Sequence, residues 1–355
     1  MGRVIVGMSG GVDSAAAAFL LREAGHEVIG LTIRTWSSGV SRCCEIDDAR
    51  ATARKLGIDY HVLNCVSDFE KNVEKPFIDD YLNGMTPNPC VICNERVKWS
   101  RLIYMAEILK ADWVATGHYA DIARLENGRY AIKKAADTRK DQSYMLYRLT
   151  QEQLSRTILP LYNKTKNEIR EIAERAGIPG ANKPDSQELC FVTEGDYADY
   201  IKSHTDREIP GEGNFKDENG VILGRHKGII YYTVGQRKGL GIALGHPAYI
   251  KNIRADKNEI VIGDEKSLYS QEILCGDLRF MSVSGIQENE SVKAKVKIRY
   301  RHEGADAVLE RDRDNINKIR VKFEKPVRAA TPGQSAVFYD DMGYIIGGGV
   351  ILKAY

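Results

Sequence analysis

GMSGGVDSAAAAFLL, residues 7–21, places two adjacent glycines between an apolar stretch and an alanine-rich one. The residues before it, RVIV at 3–6, are mostly β-branched, which predicts a buried strand that ends at the glycines. The alanine-rich part predicts a helix that begins near Ser14. Such a helix presents unpaired backbone N–H groups and the positive end of its dipole directly after the turn. The stretch therefore favours an anion, most simply a phosphate group.

The glycine turn differs from the Walker phosphate loop, GxxxxGK[ST], because it lacks the lysine of that pattern, which disfavours chemistry at a γ-phosphate. Gly10 and Gly11 let the backbone approach a phosphate closely, and the hydroxyls of Ser9 and Ser14 can donate to it. Asp13 can help to place Mg²⁺. The alternative is that Asp13 and Ser14 only cap a helix, but capping does not require paired glycines.

The composition indicates an ordinary globular chain. Its 355 residues predict two or three domains. The 51 basic and 49 acidic residues give a formal net charge of +2, which excludes a polycation and leaves nucleic-acid binding to local patches. No run of eighteen apolar residues and no signal-peptide pattern is visible, so we expect no membrane association and a cytoplasmic location.

Apolar and helical segments alternate over the first 120 residues, which predicts an α/β fold with a parallel sheet and crossover helices. The strands are expected at 3–6, 27–33, 59–64 and 112–117, and the helices at 14–24, 45–56 and 94–110. Ligands bind at the carboxyl ends of the strands in such sheets, where the glycine turn falls. Asn127-Gly128 predicts a hairpin within 121–135, and a further helix is expected near 165–176.

Short strand-like runs replace this alternation after about residue 205, so the second half is expected to be mostly β, with a further boundary near 275. One of these runs, KAKVKIRYR at 293–301, alternates basic and apolar residues. A strand would place five cations on one face: Lys293, Lys295, Lys297, Arg299 and Arg301. That face either is solvated or contacts a phosphate backbone, which would offset the repulsion between like charges.

The seven cysteines include Cys90 and Cys93 in TPNPCVICN at 86–94 and Cys190 in SQELCFV. An odd count with a CxxC pair favours thiol or metal chemistry over a disulfide framework. A helix is expected to begin near Asn94 or Glu95, which would place Cys93 at its N-terminus, where a thiol becomes more acidic. For Cys190 the alternative is a small buried apolar side chain, and Cys65 and Cys275 are expected to pack in cores.

SGGVDS at 9–14 resembles the PP-loop of the adenylating ATP pyrophosphatases. Several further motifs follow in the order of one family, the tRNA-specific 2-thiouridylases, and the likeness covers nearly the whole chain. They are GHYA at 117–120, KDQSYML at 140–146, TPNP with its cysteine, SQELCFV, GQRKGLGI, KIRYR and PGQSAVFY. The resemblance implies ATP-dependent replacement of the C2 oxygen of the wobble uridine by sulfur in tRNAs for lysine, glutamate and glutamine.

The resemblance also implies three domains. An α/β PP-loop domain, similar to the adenine nucleotide alpha hydrolases, would span 1–205 and carry catalysis. A small, mostly β central domain would span 206–274, and a C-terminal tRNA-binding β-barrel would span 275–355.

The site residues that the resemblance implies fall into three groups. The ATP site would comprise Gly7, Met8, Ser9, Gly10, Gly11, Val12, Asp13, Ser14, Ile33 and Gly117, with Mg²⁺ as a further cofactor. The tRNA would contact Asn88, Pro89, Cys90, His118, Lys140, Asp141, Gln142, Arg299, Tyr300 and Gln334. In the persulfide scheme of the family, Cys190 receives the sulfur and attacks the adenylated base, and Cys93 releases the product through a disulfide.

The chain departs from the commoner family pattern at Cys90, where many members carry an aspartate. Cys90, Cys93 and Cys190 could instead ligate a [4Fe–4S] cluster with one open iron that holds the incoming sulfide. The sulfur donor would be a cysteine desulfurase, a relay protein or inorganic sulfide. A zinc site that adds Cys43 and Cys44 to Cys90 and Cys93 is a weaker hypothesis, because adjacent ligands fit a tetrahedron poorly.

Two other function classes are open on the sequence alone. A PP-loop amidotransferase or ligase would use the same adenylate, but no glutaminase-like segment is evident and the cysteines would have no role. A non-catalytic nucleotide- or RNA-binding protein would not need reactive thiols beside a phosphate loop.

Overall fold

The computed structural model describes residues 1–36, 46–179, 189–192 and 195–355. The chain divides into two compact units. The first unit comprises Met1–Val73, Cys90–Glu194 and Met342–Ile345, and the second comprises Glu74–Pro89, Gly195–Asp341 and Ile346–Tyr355. No helix among the described residues is both long and apolar enough to cross a membrane.

The first unit is built on a parallel sheet of five strands in the order β3-β2-β1-β4-β7, joined by a separate two-stranded hairpin, β5-β6. The strands are β1 (Arg3–Gly7), β2 (Glu27–Arg34), β3 (Asp59–Asn64), β4 (Trp113–Ala115), β5 (Ala120–Arg124), β6 (Tyr130–Lys134) and β7 (Thr157–Ile158). β1 is central, because Val4 pairs with Val28 on one side and with Trp113 on the other. The predicted parallel sheet and the predicted hairpin are therefore confirmed, and β7 is a strand that the sequence did not reveal.

Helices alternate with these strands and continue into the second unit. In chain order they are α1 (Val12–Glu23), α2 (Ile46–Leu56), α3 (Val66–Phe69), α4 (Lys75–Leu82), α5 (Pro89–Cys93), α6 (Ser100–Ile108), α7 (Gln151–Ser155), α8 (Lys166–Arg175) and α9 (Tyr197–Ser203). π-helical turns at Glu70–Glu74 and Asn94–Trp99 connect α3 to α4 and α5 to α6. In α1, four successive alanines, Ala15 to Ala18, are at most 2% exposed. Their small side chains let α1 pack closely in one apolar cluster with Val4 and Val6 of β1 and with Ile169 and Ala173 of α8.

The helix that carries the CxxC pair begins earlier than the sequence indicated. It was expected to start near Asn94 or Glu95, but the helical run starts at Pro89 and continues to Ile108. Proline is well suited to the first helical position, because its missing N–H would have no helical partner there. The expectation was therefore wrong, and Cys90 rather than Cys93 lies at the beginning of the helix.

The second unit is mostly β, as predicted. Its strands are β8 (Gly213–Lys216), β9 (Ile222–His226), β10 (Tyr249–Arg254), β11 (Glu259–Gly263), β12 (Tyr269–Phe280), β13 (Ser291–Lys297), β14 (Ala305–Arg311), β15 (Ile319–Arg328), β16 (Ser335–Tyr339) and β17 (Ile345–Ala354). Four of them form a sheet in the order β10-β11-β8-β9. The other six close a barrel in the order β12-β15-β14-β13-β16-β17, which confirms the predicted C-terminal barrel.

Three of the five predicted cations, Lys293, Lys295 and Lys297, lie on β13 with the predicted alternation. The strand ends at Lys297, so the prediction was wrong for Arg299 and Arg301, which lie in the turn that follows. Ala294, Val296 and Ile298 belong to the barrel core, and the lysines between them point outward. Lys295 forms an exposed ion pair with Asp306 of β14, at 2.8 Å between Nζ and Oδ1. Asp306 therefore offsets the charge of Lys295 within the barrel. This favours the solvated face over a phosphate contact at Lys295.

A buried ion pair fixes the helical run of the cysteines to the rest of the first unit. The Nε of Arg148 donates to Oε2 of Glu95 at 2.6 Å, and Arg148 is 1% exposed. The amide of Asn94 also donates to the carbonyl of Met145, at 3.0 Å. Asn94 and Glu95, which directly follow Cys93, are thus held by Met145 and Arg148.

We expect Arg148→Met to lower the free energy of unfolding by about 3–5 kcal/mol, because it leaves the Glu95 carboxylate buried without its cation. The double variant Glu95→Gln, Arg148→Met should recover much of that loss. Arg96→Met is the matched control, since Arg96 is half exposed and only 3.9 Å from the same carboxylate. Urea unfolding of the four proteins measures the effect, and equal stability of Arg148→Met and Arg96→Met would contradict it.

Candidate active site

The glycine loop is fixed at the carboxyl ends of β1 and β2. The backbone N–H of Met8 donates to the carbonyl of Leu31 at 2.9 Å, and the hydroxyl of Thr32 donates to the carbonyl of Met8 at 2.7 Å. Ile33 lies at the same end of β2. Gly10 has a φ of +86°, a conformation that glycine adopts without strain. Thr32 was missed by the sequence analysis, although it is the one hydroxyl of β2 and lies in the apolar run between Glu27 and Arg34.

The two serines of the loop make hydrogen bonds within the loop itself. The hydroxyl of Ser14 donates to the carbonyl of Gly11 at 2.9 Å and accepts from the N–H of Ser9 at 3.2 Å. The N–H of Gly11 donates to the hydroxyl of Ser9 at 3.4 Å. Ser9 and Gly11 are exposed, so an anion can reach the N–H of Gly11 directly.

Gly117, predicted as part of the ATP site, lies against the glycine loop. A Cβ atom added to Gly117 would be 2.6 Å from the carbonyl carbon of Asp13 and 2.6 Å from the nitrogen of Ser14. No side chain fits in that space, so only glycine permits this approach of the segment after β4.

Asp13 is held by two residues that the sequence analysis did not identify. The ammonium of Lys166 lies 2.7 Å and 2.8 Å from its two carboxylate oxygens, and the hydroxyl of Tyr119 donates to Oδ1 at 2.7 Å. Lys166 is 7% exposed. The carboxylate is therefore already neutralised by a buried cation, which fits poorly with a role in binding Mg²⁺, and we derive no step through that ion.

The KDQ segment is tied to the same network. Asp141 is buried, and its carboxylate accepts hydrogen bonds from the N–H groups of Ala135 and Ser143 and from the Ser143 hydroxyl. Gln142 pairs with Tyr119 in both directions, at 2.8 Å and 3.0 Å. Two of the three predicted tRNA contacts in this segment therefore have structural roles, and the third, Lys140, lies partly exposed beside them.

His118 lies beside Thr116 and Trp99. Its Nδ1 is 2.8 Å from the Thr116 hydroxyl, and its ring centroid is 5.4 Å from that of Trp99. Burial lowers the pKa of His118 to about 3, and the Lys98 ammonium acts in the same direction. At neutral pH the imidazole is uncharged, so any contact with RNA would be a hydrogen bond or a stacking contact.

The three candidate catalytic cysteines all belong to the first unit. Cys93 is buried, while Cys90 and Cys190 are partly exposed. Cys90 and Cys93 lie on α5, and Phe191, next to Cys190, packs edge-on against Phe69 at 5.4 Å between ring centroids. Among the residues that the structure describes, no three His, Cys, Asp or Glu side chains are grouped so that they could hold a metal ion. The predicted [4Fe–4S] ligand set is therefore not assembled among these residues.

The remaining cysteines match the predicted packing roles where they are described. Cys65 and Cys275 are both buried. Burial raises the pKa of the Cys65 thiol to about 11 and raises that of Cys275 further, so both are poor nucleophiles. Cys43 and Cys44, proposed as zinc ligands, lie outside the described residues.

In the second unit, the barrel holds the TPNP segment. The side-chain amide of Gln334 donates to the carbonyls of Thr86 and Pro87, at 2.8 Å and 3.2 Å, and the N–H of Thr86 donates to the carbonyl of Pro332 at 2.9 Å. A Cβ atom on Gly333 would be 2.8 Å from the Thr86 nitrogen. Asn88 and Pro89, predicted to contact the target base, directly follow this anchored stretch.

Arg299 and Tyr300, also predicted to contact tRNA, follow β13 in the same unit. Arg299 donates to the carbonyl of Arg328 at 3.0 Å, and the Lys297 ammonium lies 5.8 Å from the centre of the Tyr300 ring. Both residues are partly exposed. One guanidinium nitrogen of Arg299 is thus used within the barrel.

The low pKa of His118 predicts a measurable pH dependence of stability. Between pH 6.5 and pH 3 the unfolded chain binds a proton at this residue and the folded chain does not, so folding stability falls as the pH is lowered through this range. Lowering the pH from 7 to 5 should reduce the free energy of unfolding of the unaltered protein by up to about 2 kcal/mol through His118. In His118→Gln this part of the reduction should be absent. His61→Gln, at an exposed histidine, is the control, and identical pH profiles for His118→Gln and the unaltered protein would refute the assignment.

Comparison with known proteins covers the whole chain. Three family models match in succession: tRNA methyl transferase HUP domain at residues 2–194, tRNA methyl transferase PRC-barrel domain at 198–264, and aminomethyltransferase beta-barrel domain at 270–351.

Curated relatives carry a more specific name. The tRNA-specific 2-thiouridylase MnmA of Lachnoclostridium phytofermentans is 48% identical over 99% of this chain and 100% of its own length. The proteins of the same name from Acetivibrio thermocellus and Clostridioides difficile are 49% and 45% identical, and cover 98% and 99% of this chain and 99% and 98% of their own lengths. With near-half identity from end to end, and with the loop, the cysteines and the barrel in the expected order, the chain belongs to the family of tRNA-specific 2-thiouridylases.

Proposed function

We propose that this protein is an ATP-dependent tRNA-uridine 2-sulfurtransferase that converts the wobble uridine of tRNAs for lysine, glutamate and glutamine to 2-thiouridine. The observation that carries the proposal is the glycine loop at the carboxyl end of a parallel sheet, packed against Gly117, in the unit that also contains Cys90, Cys93 and Cys190. A phosphate loop without a Walker lysine suits cleavage between the α- and β-phosphates, and thiols supply the sulfur chemistry.

The first step activates the base. The C2 oxygen of uridine attacks the α-phosphorus of ATP, the bond from that phosphorus to the bridging oxygen breaks, and diphosphate leaves. The N–H groups of the loop and the beginning of α1 stabilise the negative charge that builds up on the departing oxygens. Gly10 and Gly11 matter here because a side chain would keep the phosphates away from the backbone.

The second step transfers sulfur. The terminal sulfur of a Cys190 persulfide attacks C2, and AMP leaves with the former C2 oxygen. The Cys93 thiolate then attacks the Cys190 sulfur, the S–S bond to the new thiocarbonyl sulfur breaks, and a Cys93–Cys190 disulfide forms. An external thiol reductant restores both cysteines, and a cysteine desulfurase or a relay protein supplies the next persulfide sulfur.

The two-cysteine route requires only Cys93 and Cys190, and it requires no iron. Cys90 and Cys93 lie three positions apart on one helix, which suits neighbouring roles for their side chains. Cys90 stands where many relatives have a carboxylate, so in this chain a thiol takes that place beside the target base. A cluster with inorganic sulfide as donor would need Cys90 as a third ligand, which makes Cys90 the residue that separates the two routes.

The test is formation of 2-thiouridine, AMP and diphosphate by the purified protein with tRNA, ATP and a persulfide donor. We expect Cys93→Ser and Cys190→Ser each to abolish 2-thiouridine, measured by mass spectrometry of tRNA nucleosides, while tRNA binding persists. Cys65→Ala, at a buried thiol with a raised pKa, is the control and should retain activity. ATP cleavage to ADP, or full thiolation by either serine variant, would contradict the proposal. Activity of iron-free Cys90→Ser supports the two-cysteine route, and joint loss of iron and activity supports the cluster.

Gln334 offers a second test. The resemblance implies that it contacts tRNA, whereas in the structure its amide donates to the carbonyls of Thr86 and Pro87. We expect Gln334→Ala to slow thiolation and to raise amide exchange in the peptide around Thr86 and Asn88, with unchanged tRNA affinity. Each lost hydrogen bond is worth about 1 kcal/mol. Gln287→Ala, at an exposed glutamine of the same unit, is the control. Weaker tRNA binding with unchanged amide exchange would show instead that Gln334 contacts the RNA.

A further inference from the structure

A cationic cavity of about 300 Å³ lies in the first unit beside Lys166. Four basic side chains line it: Arg139 and Lys140 from the turn before the KDQ aspartate, and Lys166 and Arg170 from α8. The acidic side chain in the lining, Asp137, accepts hydrogen bonds from the N–H and the Nε of Arg139. The ammonium of Lys166 is paired with Asp13, which lies outside the lining. Even with both carboxylates counted, four cations face two anions, which suits a ligand with negative charge.

Of these cations, Lys166 is buried, and Arg170 is partly exposed with its Nε atom buried. Lys166 and Arg170 are four residues apart on α8, so they lie on the same face of the helix, one turn from each other. Lys166 is 7% exposed, and the Nε of Arg170 is a buried nitrogen for which the described part of the chain supplies no hydrogen-bond acceptor. Buried donors in folded proteins nearly always have an acceptor, so this nitrogen indicates a ligand oxygen.

The glutamate of the first turn of α8, Glu168, is used in a helix cap. The carboxylate of Glu168 accepts from the N–H and the hydroxyl of Thr165, both at 2.7 Å, in a capping box at the beginning of α8. These hydrogen bonds lower the pKa of Glu168, which keeps it ionised in that place. Glu168 therefore does not supply the acceptor that the Nε of Arg170 lacks among the described residues.

We propose that this cavity binds phosphate oxyanions and takes up the diphosphate released from ATP, an inference that rests on the proposed function. Lys166 lies between the cavity and the glycine loop. Its side chain lines the cavity, and its ammonium contacts Asp13 of the loop. A diphosphate that leaves the loop meets Lys166 first and then Arg170. A backbone phosphate of RNA would have to reach the same buried groups from outside, which makes it the less suitable source.

The experiment measures binding of inorganic pyrophosphate to the full chain by calorimetry, without ATP or tRNA. Arg170→Gln keeps a hydrogen-bonding side chain and removes the charge, and we expect it to weaken pyrophosphate binding about tenfold, as for loss of a charge-assisted hydrogen bond. Arg175→Gln, at an exposed arginine in the last turn of the same helix, is the matched control and should bind like the unaltered protein. Lys140→Gln provides a second lining variant with the same expected direction should Arg170→Gln fail to fold.

A parallel titration with tRNA distinguishes the two sources of phosphate. Unchanged tRNA affinity in Arg170→Gln, together with weakened pyrophosphate binding, supports the proposal. Weakened tRNA binding with unchanged pyrophosphate binding would assign the cavity to the RNA backbone and overturn it, and so would the absence of any effect on either ligand. Because the titration needs no turnover, its failure is distinct from a failure of the protein to form 2-thiouridine.

Discussion

The ion pair between Asp13 and Lys166 is the constraint on which the candidate active site depends. A lysine that is only 7% exposed requires a counter-charge, and Asp13 of the glycine loop supplies it. The position of the loop and the docking of α8 on α1 are therefore set together. Tyr119 adds a hydrogen bond to the same carboxylate and pairs with Gln142 through its backbone. The glycine loop, GHYA and KDQ thus form one continuous polar network.

Local patterns were enough to predict the frame of the molecule. β-Branched runs predicted β1 and β2, the alanine run predicted α1, and Asn127-Gly128 predicted the hairpin, because each of these choices is decided by neighbours in sequence. Lys166 and Tyr119 were missed because their partner Asp13 is 153 and 106 residues away, and no periodicity encodes such a contact. The beginning of α5 was misplaced because the helix was expected only after Cys93, although proline is favoured in the first turn of a helix and Pro89 begins α5.

The resemblance to the family indicated where functional residues lie more reliably than what each side chain does. Asp141 and Gln142 were expected to contact tRNA, yet the carboxylate of Asp141 is used by three donors inside the fold and Gln142 is bound to Tyr119. His118 is held neutral by burial. In the KDQ segment, therefore, two of the three side chains have contacts inside the fold, and Lys140 is partly exposed.

The TPNP segment shows why such support is needed. Pro87 and Pro89 have no N–H to donate, which leaves the segment with fewer backbone donors of its own, and two of its carbonyls receive donors from the barrel. Gln334 supplies both protons, and Gly333 permits the close approach because any larger residue would collide with Thr86. Pro89 then begins α5, the helix that carries Cys90 and Cys93. The turn between β15 and β16 of the barrel therefore fixes the backbone of Thr86 and Pro87, the residues that precede Asn88 and Pro89 within the second unit.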